Sequence, residues 1–431
     1  MVRAFRPIRF APIATALAGA PQATPARAEA PPRPLAQREF LQPCKAVGAG
    51  WFYIPGTTTC VRVAAYVKTD HRSRSSPTEL IVEADRNQTG PLLTVYTARL
   101  PYDRPMERSL NELKAFVHTA TETDLGMVGT TVALKSQLES PPRRPSDLTD
   151  EFNRTGARTL LEQANVTIAG FTAGYRPSFF DFPTASLSYT TAYASETNTN
   201  VVAYTGRVSR TIDATLSLED GTARNVVDRA WGEYKDSRAP NVVAALDGRF
   251  DWGAVHVAAA SRPVHAFAPT GFGEQGSATG FAATAAIEHW FDLPFGMAGD
   301  VLLSASGTRG GLDYLNASNY PADFAISRSG RVYLTEGYSF VASYLHKWTK
   351  EIRTIVTASK FQTRLDTDTF RLRTDGLLLQ AALEYSPVRG FTTGLELNLF
   401  QDSARGFESS VSQSHAANQY LTGVLYARRK F

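Results

Sequence analysis

Thr211-Ile212-Asp213-Ala214-Thr215-Leu216-Ser217-Leu218-Glu219 changes character at every step: even positions are apolar, odd positions polar. Successive side chains of a β-strand point to opposite faces, so this stretch has one greasy side and one wet side. Phe391-Thr392-Thr393-Gly394-Leu395-Glu396-Leu397-Asn398-Leu399 alternates too, with apolar side chains mainly at odd positions. Val61-Arg62-Val63-Ala64-Ala65-Tyr66-Val67-Lys68 sets Arg62 and Lys68 opposite three valines. The same period of two predicts strands at 61–68, 79–87, 91–100, 127–137, 162–175, 200–208, 211–219, 242–250, 253–261, 281–291, 301–308, 338–348, 352–361, 376–386, 391–400 and 419–431.

The connections say more than the strands. Short ones are expected from Asn87 to Pro91, at Ser209-Arg210, at Asp251-Trp252, at Thr349-Lys350 and from Pro387 to Gly390. Between them fall long ones: 220–241, 262–280, 309–337, 362–375 and 401–418. A soluble sandwich has no reason to sort its turns this way. A transmembrane β-barrel has one, because its periplasmic turns are short and its external loops long. An even strand count closes the sheet and leaves no unpaired edge in lipid. The expected fold is therefore a 16-stranded antiparallel barrel over 61–431, with both termini in the periplasm. One connection, 138–161, is long where a short turn is expected; Pro141, Pro142 and Pro145 lie in it beside Arg143 and Arg144. Segment 101–126 reads as locally helical, with Leu110, Leu113 and Val117 at helical spacing and Glu107 near its start, a helical piece within an external loop.

Composition agrees with this class. In 431 residues there is no apolar run of 18 or more, so a helical membrane span is not expected. Barrel strands alternate and average to a mildly hydrophilic chain. The net charge of +4 is small, and bases and acids are interspersed, so no nucleic-acid partner is indicated.

The N-terminus reads as an export signal over 1–28. Arg3, Arg6 and Arg9 supply the positive region, Phe10 to Ala20 is apolar but broken by Pro12, and Ala26-Arg27-Ala28 has the small-x-small pattern of a cleavage site. A soluble protein with a basic, Pro/Ala-rich tail is the alternative. Residues 29–60 form a periplasmic segment, Pro-rich at first, that carries the two cysteines, Cys44 and Cys60. Export favours a disulfide between them over two unpaired thiols. Closing so short a loop stabilises by about 3 kcal/mol on the chain-entropy model. Without a matching histidine pair the two make a poor zinc site.

Several stretches resemble the alphaproteobacterial (rhizobial-type) porin family. The first is Cys44-Lys-Ala-Val-Gly-Ala-Gly-Trp-Phe-Tyr-Ile-Pro-Gly-Thr-Thr-Thr-Cys60, followed by Val61-Arg62-Val63. The second is Ile168-Ala-Gly-Phe-Thr-Ala-Gly-Tyr-Arg-Pro-Ser-Phe-Phe-Asp-Phe182. Val201-Val202-Ala203-Tyr204-Thr205-Gly206 and Pro240-Asn241-Val242-Val243-Ala244 support it. Segment 101–160 departs from the family's pattern. The resemblance implies an outer-membrane, homotrimeric barrel that passes small hydrophilic solutes and ions by passive diffusion, with no cofactor. It also implies that the loop after the fifth strand, about 177–199, folds inward as a constriction, with Asp181 and Glu196 as its acids. Strand parity then turns Arg176, Arg207, Arg249, Arg62, Lys68 and Asp247 into the lumen, where bases facing acids would set up a transverse field. The chain ends on Phe431, the kind of terminal aromatic that barrel-assembly machinery reads. Gly423, Leu425 and Ala427 share its strand face, as does Arg429, which departs from that pattern.

Enzyme readings are weak. There is no Gly-x-Ser-x-Gly elbow, and His256, His265, His289 and His346 lack metal-ligand spacing. Two further readings remain: a substrate-selective channel with a binding site on loops such as 309–337, and a secreted all-β structural or adhesive protein.

Overall fold

A computed structural model describes residues 42–75, 78–79, 107–140, 157–182, 187–227, 231–235, 239–268, 275–317, 322–327, 329–408 and 413–431. Sixteen long strands form one antiparallel sheet closed on itself. In chain order they are β1 (Thr59–Arg74), β2 (Glu107–Thr123), β3 (Gly126–Ser140), β4 (Ala157–Ile168), β5 (Phe171–Pro177), β6 (Asn198–Arg207), β7 (Ile212–Glu219) and β8 (Asn241–Phe250). Then follow β9 (Gly253–Phe267), β10 (Gln275–Asp292), β11 (Ala298–Arg309), β12 (Glu336–Lys347), β13 (Ile352–Asp366), β14 (Phe370–Tyr385), β15 (Phe391–Glu408) and β16 (Gln413–Lys430). Each pairs with its neighbours in sequence, and β16 returns to β1 with Tyr66 opposite Lys430 and Arg74 opposite Thr422. The N-terminal signal reading, 1–28, lies outside the described residues.

Alternation decides which face each residue takes. Leu216 and Leu218 of β7 stand exposed on the outer surface, while Thr215, Ser217 and Glu219 are buried inside. On β15, Leu395 and Leu397 face out and Glu396 and Asn398 face in. Near the short turns the outer surface carries aromatics: Phe171, Tyr204, Trp252, Trp290, Tyr344, Trp348 and Tyr385. An apolar band bounded by aromatic residues is the outer surface a membrane barrel presents to lipid.

Three expectations need correction. Segment 101–126 is not helical: 107–123 is strand β2. Leu113 and Val117 fit a helical spacing, but with Ala115 they also fit a period of two, and the run Thr119-Ala120-Thr121-Glu122-Thr123 favours strand. The segment 162–175 is two strands, β4 and β5, joined at Ala169-Gly170. Both turn residues have positive φ, 48° and 88°, as a tight hairpin requires. A Cβ at Gly170 would also stand 2.7 Å from the Thr205 carbonyl oxygen. The strand expected at 91–100 lies outside the described residues, and of 79–87 only Glu79 lies inside. With β2 in place, β3 and β4 are joined at the end of the barrel opposite the short turns. The long connections expected at 362–375 and 401–418 are mostly strand, leaving only 367–369 and 409–412 between strands.

Cys44 and Cys60 are disulfide-bonded, Cα atoms 5.9 Å apart, both buried. Trp51 in the segment they close lies over Arg62 at 5.3 Å, so this lobe packs at the barrel end that carries the short turns.

The outward assignment is testable. Leu397→Arg, midway up the apolar band, is expected to cost about 2–4 kcal/mol in urea unfolding from lipid vesicles. An unchanged midpoint would contradict it.

Candidate functional site

The connection after β5 runs inward. Ser178 Oγ donates to Glu219 Oε2 at 2.6 Å, and the Phe179 N–H donates to Glu219 Oε1 at 3.0 Å. The Ser178 N–H reaches the Thr197 carbonyl at 3.0 Å and closes the root of the loop. Phe180 is fully buried against Val243, Ala245, Ala258, Ala260 and Ala282, with Tyr314 at 4.5 Å between ring centroids. These inward positions of β8 to β10 are small, which makes room for the ring. His256 bridges two acceptors here, Asp247 at 2.8 Å and the Phe180 carbonyl at 3.0 Å.

A buried arginine locks the loop from outside. Arg224 sits in the turn Gly221–Arg224, which Asp220 caps, and is 1% exposed. It pairs with Asp181 at 2.9 Å and with Asp313 at 2.9 Å, donates to Ser195 Oγ at 2.9 Å, and stacks over Tyr314 at 4.3 Å. Burial works against its charge, but Asp181, Tyr314 and Asp313 outweigh that and hold its pKa above the ordinary value. Burial likewise raises the Asp313 pKa, against the pull of Arg224. Asp181 also accepts from the Thr197 N–H at 2.7 Å.

The loop then crosses the lumen to the far wall. The Tyr189 and Thr190 N–H groups donate to Glu396 at 2.8 and 3.0 Å. Tyr189 OH donates to Asp70 at 2.8 Å, and its ring stacks on Tyr426 at 4.0 Å. The Tyr193 N–H reaches Ser359 Oγ at 2.7 Å. Irregular backbone inside a barrel needs such acceptors, and the inward parity of β13 and β15 supplies them.

The inner wall of β1 to β4 is charged. Lys68 lies 3.3 Å from Glu112 and 5.1 Å from the Tyr189 ring centroid. Glu162, at a bulge in the β3–β4 pairing, holds both Lys114 and Lys135. Arg158 donates to Gln137 at 3.0 Å. Glu196 stands exposed on the loop, accepts from Thr191 Oγ1 at 3.1 Å, and its charge acts on Lys114.

The residues expected at the constriction are therefore dispersed. Glu196 is on the loop facing the lumen, but Asp181 is turned into the loop and fully engaged. Arg176 is inward and braces the loop root, its guanidinium 4.0 Å from the Phe179 ring centroid and Nε donating to the Pro177 carbonyl at 3.1 Å. Arg207 and Arg249 have inward parity but lie exposed by the periplasmic turns, Arg207 at 3.6 Å from Asp213. Arg62 is at the short-turn end of the barrel with Trp51. Lys114, Lys135, Glu112 and Glu162 were missed because parity is invisible in a segment read as helix and across an unseen bulge. Glu219 and Glu396 had a legible signal: acids on the polar parity of strong strands.

The sequence model of a porin subfamily matches residues 30–423. The chain is 31% identical over 268 residues to porin Omp2a of Brucella canis, covering 58% of this chain and 65% of that one. It is 28% identical over 248 residues to porin Omp2b of Brucella suis, covering 56% and 62%. The chain thus spans just under two thirds of the length of these relatives. Its fold is similar to that of the outer membrane channel DcaP of Acinetobacter baumannii, with TM-score 0.59 and 12% identity over 88% of this chain and 99% of that one.

Arg224→Ala leaves Asp181 and Asp313 buried without their counter-charge, a loss of about 3–5 kcal/mol. Amide exchange at Phe179, Phe180 and Thr197 is expected to accelerate while the β12–β15 ladder keeps its protection. Unchanged exchange in the loop would contradict the lock.

Proposed function

Because the chain belongs to the porin subfamily, a family of the outer membrane, we propose that it forms a water-filled diffusion channel for small hydrophilic solutes and ions. One observation carries this reading: the connection after β5 enters a closed barrel and is pinned to its inner face at Glu219, Ser359, Glu396 and Asp70. Solutes are then selected by size and by the field beside that connection.

The field arises between Glu196 on the loop and Lys68, Lys114, Lys135 and Arg158 on the wall. Glu112 and Glu162 offset two of the wall's four positive charges, which limits the ion selectivity. One unit charge about 10 Å away in water is worth about 0.4 kcal/mol, about a two-fold change in local ion concentration. Glu196→Gln is expected to shift the reversal potential in planar bilayers towards anions by about that factor. Lys114→Gln with Lys135→Gln is expected to shift it towards cations. Unchanged reversal potentials in both variants would remove these residues from the constriction. Failure of the folded protein to conduct would remove the channel reading.

Self-association as a homotrimer uses the outer face of β1 to β4. The aromatic girdle is missing there: Val61, Val63, Thr119, Thr121, Thr130 and Val166 stand where other strands carry Phe, Tyr or Trp. On β2 only Leu113, Ala115 and Val117 are apolar and outward, about 13 Å of strand where the lipid band needs about 25 Å. Ala115→Trp is expected to convert the unheated gel band from trimer to monomer, with β-structure retained. In this reading the exposed Phe431 is the residue that the assembly machinery recognises.

A further inference from the structure

The outer surface carries a charge arrangement that the channel does not use. Arg364, Arg373 and Arg405 occupy one rung across β13, β14 and β15: Arg364 opposite Arg373, and Arg373 opposite Arg405. All three are exposed and share the outward parity of Val356, Leu379 and Leu397. Like charges directly opposite in a sheet destabilise it. Asp366 answers Arg364 and Arg371, while Glu336 lies opposite Arg364 and pairs with Arg309 at 3.4 Å. Asp375 shares the face, opposite Gln362 and Ser403. Among the described residues no acid lies within ion-pair distance of Arg373, Arg405 or Lys360.

Height and shape add to this. From Tyr385 in the periplasmic girdle to Arg373, the tilted strand climbs about 30 Å. That puts the arginine rung just beyond the apolar band, at the level of the outer-leaflet head groups. Below it a groove of about 640 Å³ runs over the outer wall, floored by Ala285, Ala305, Ala342 and Ala358. Lys360 closes its outer end, directly between Phe340 and Leu377. Lys360 stands four residues before Arg364, about 13 Å along the strand. Two long basic side chains separated by that distance can share one anion between them.

We propose that this face binds a membrane lipid with a phosphate-bearing head group. The phosphate lies between Lys360 and the Arg373–Arg405 pair, and an acyl chain fills the alanine groove. Guanidinium groups suit phosphate because their N–H donors match its oxygens in pairs. The occupant is a lipid rather than a second copy of the chain, because the girdle is present over β9 to β15 and this side faces the bilayer. The inference rests on the reading of the barrel as membrane-embedded.

Native mass spectrometry of the refolded full chain in detergent, with diphosphorylated lipid A as probe, tests it. The unaltered protein is expected to retain the lipid. Arg373→Ala with Arg405→Ala is expected to bind about ten-fold more weakly, the loss of a charge-assisted pair. Ala342→Trp with Ala358→Trp, which fills the groove and leaves the arginines, is expected to weaken binding as well. Equal retention by the arginine variant, or unchanged retention by the groove variant, would overturn the proposal. Both variants lie outside the lumen, so their single-channel conductance stays that of the unaltered protein. A lipid site that fails while conductance persists leaves the channel reading standing.

Discussion

Everything in this protein follows from one requirement: in hydrocarbon no backbone N–H or C=O can go unpaired. A sheet meets it only by closing, so the last strand must return to the first. The ladder from Tyr66–Lys430 to Arg74–Thr422 does that. Closure has two consequences. Outward side chains must be apolar over the height of the bilayer, which yields Leu216, Leu218, Leu395 and Leu397 at every second position. Inward side chains are largely polar, and among the described residues the apolar clusters inside are small and lie where loop meets wall.

The interior is therefore organised by polar contacts where a soluble protein would use packing. Glu219 and Glu396 each accept two donors from the loop that crosses the lumen, at its root and at its far contact. Arg224 stitches Asp181, Ser195 and Asp313 together from outside. Buried charges of this kind are costly to create and more costly to break singly, so they fix one arrangement of the loop. Small apolar clusters such as Phe180 with Tyr314 fill the places where loop meets wall.

The barrel was legible in the sequence because alternation reports directly on a two-sided wall, and because the tight turns at Ser209-Arg210, Asp251-Trp252 and Thr349-Lys350 all fall at one end of it. Val61–Lys68, Thr211–Glu219 and Phe391–Leu399 carry that signal without ambiguity. It failed at Glu107–Thr123, where Leu113 and Val117 satisfy both periods at once and Leu110 fits only the helical one. It failed again at Ala169-Gly170, a two-residue hairpin with no polar break around it. The candidate site was less legible. Parity places Arg62, Arg176, Arg207 and Arg249 on the inner face, but parity carries no height, and height separates a constriction from a mouth. Lys114, Lys135 and Glu162 meet only through the register of β2, β3 and β4 and a bulge between the last two. No local pattern announces that meeting.

The central claim is a closed, water-filled path narrowed by a pinned loop. Single-channel conductance of the refolded protein in planar bilayers, followed as salt is raised, tests it most directly. A water-filled path predicts discrete steps whose size rises in proportion to the conductivity of the bulk solution. Conductance that saturates as salt rises, or an absence of steps from correctly folded protein, would contradict the account.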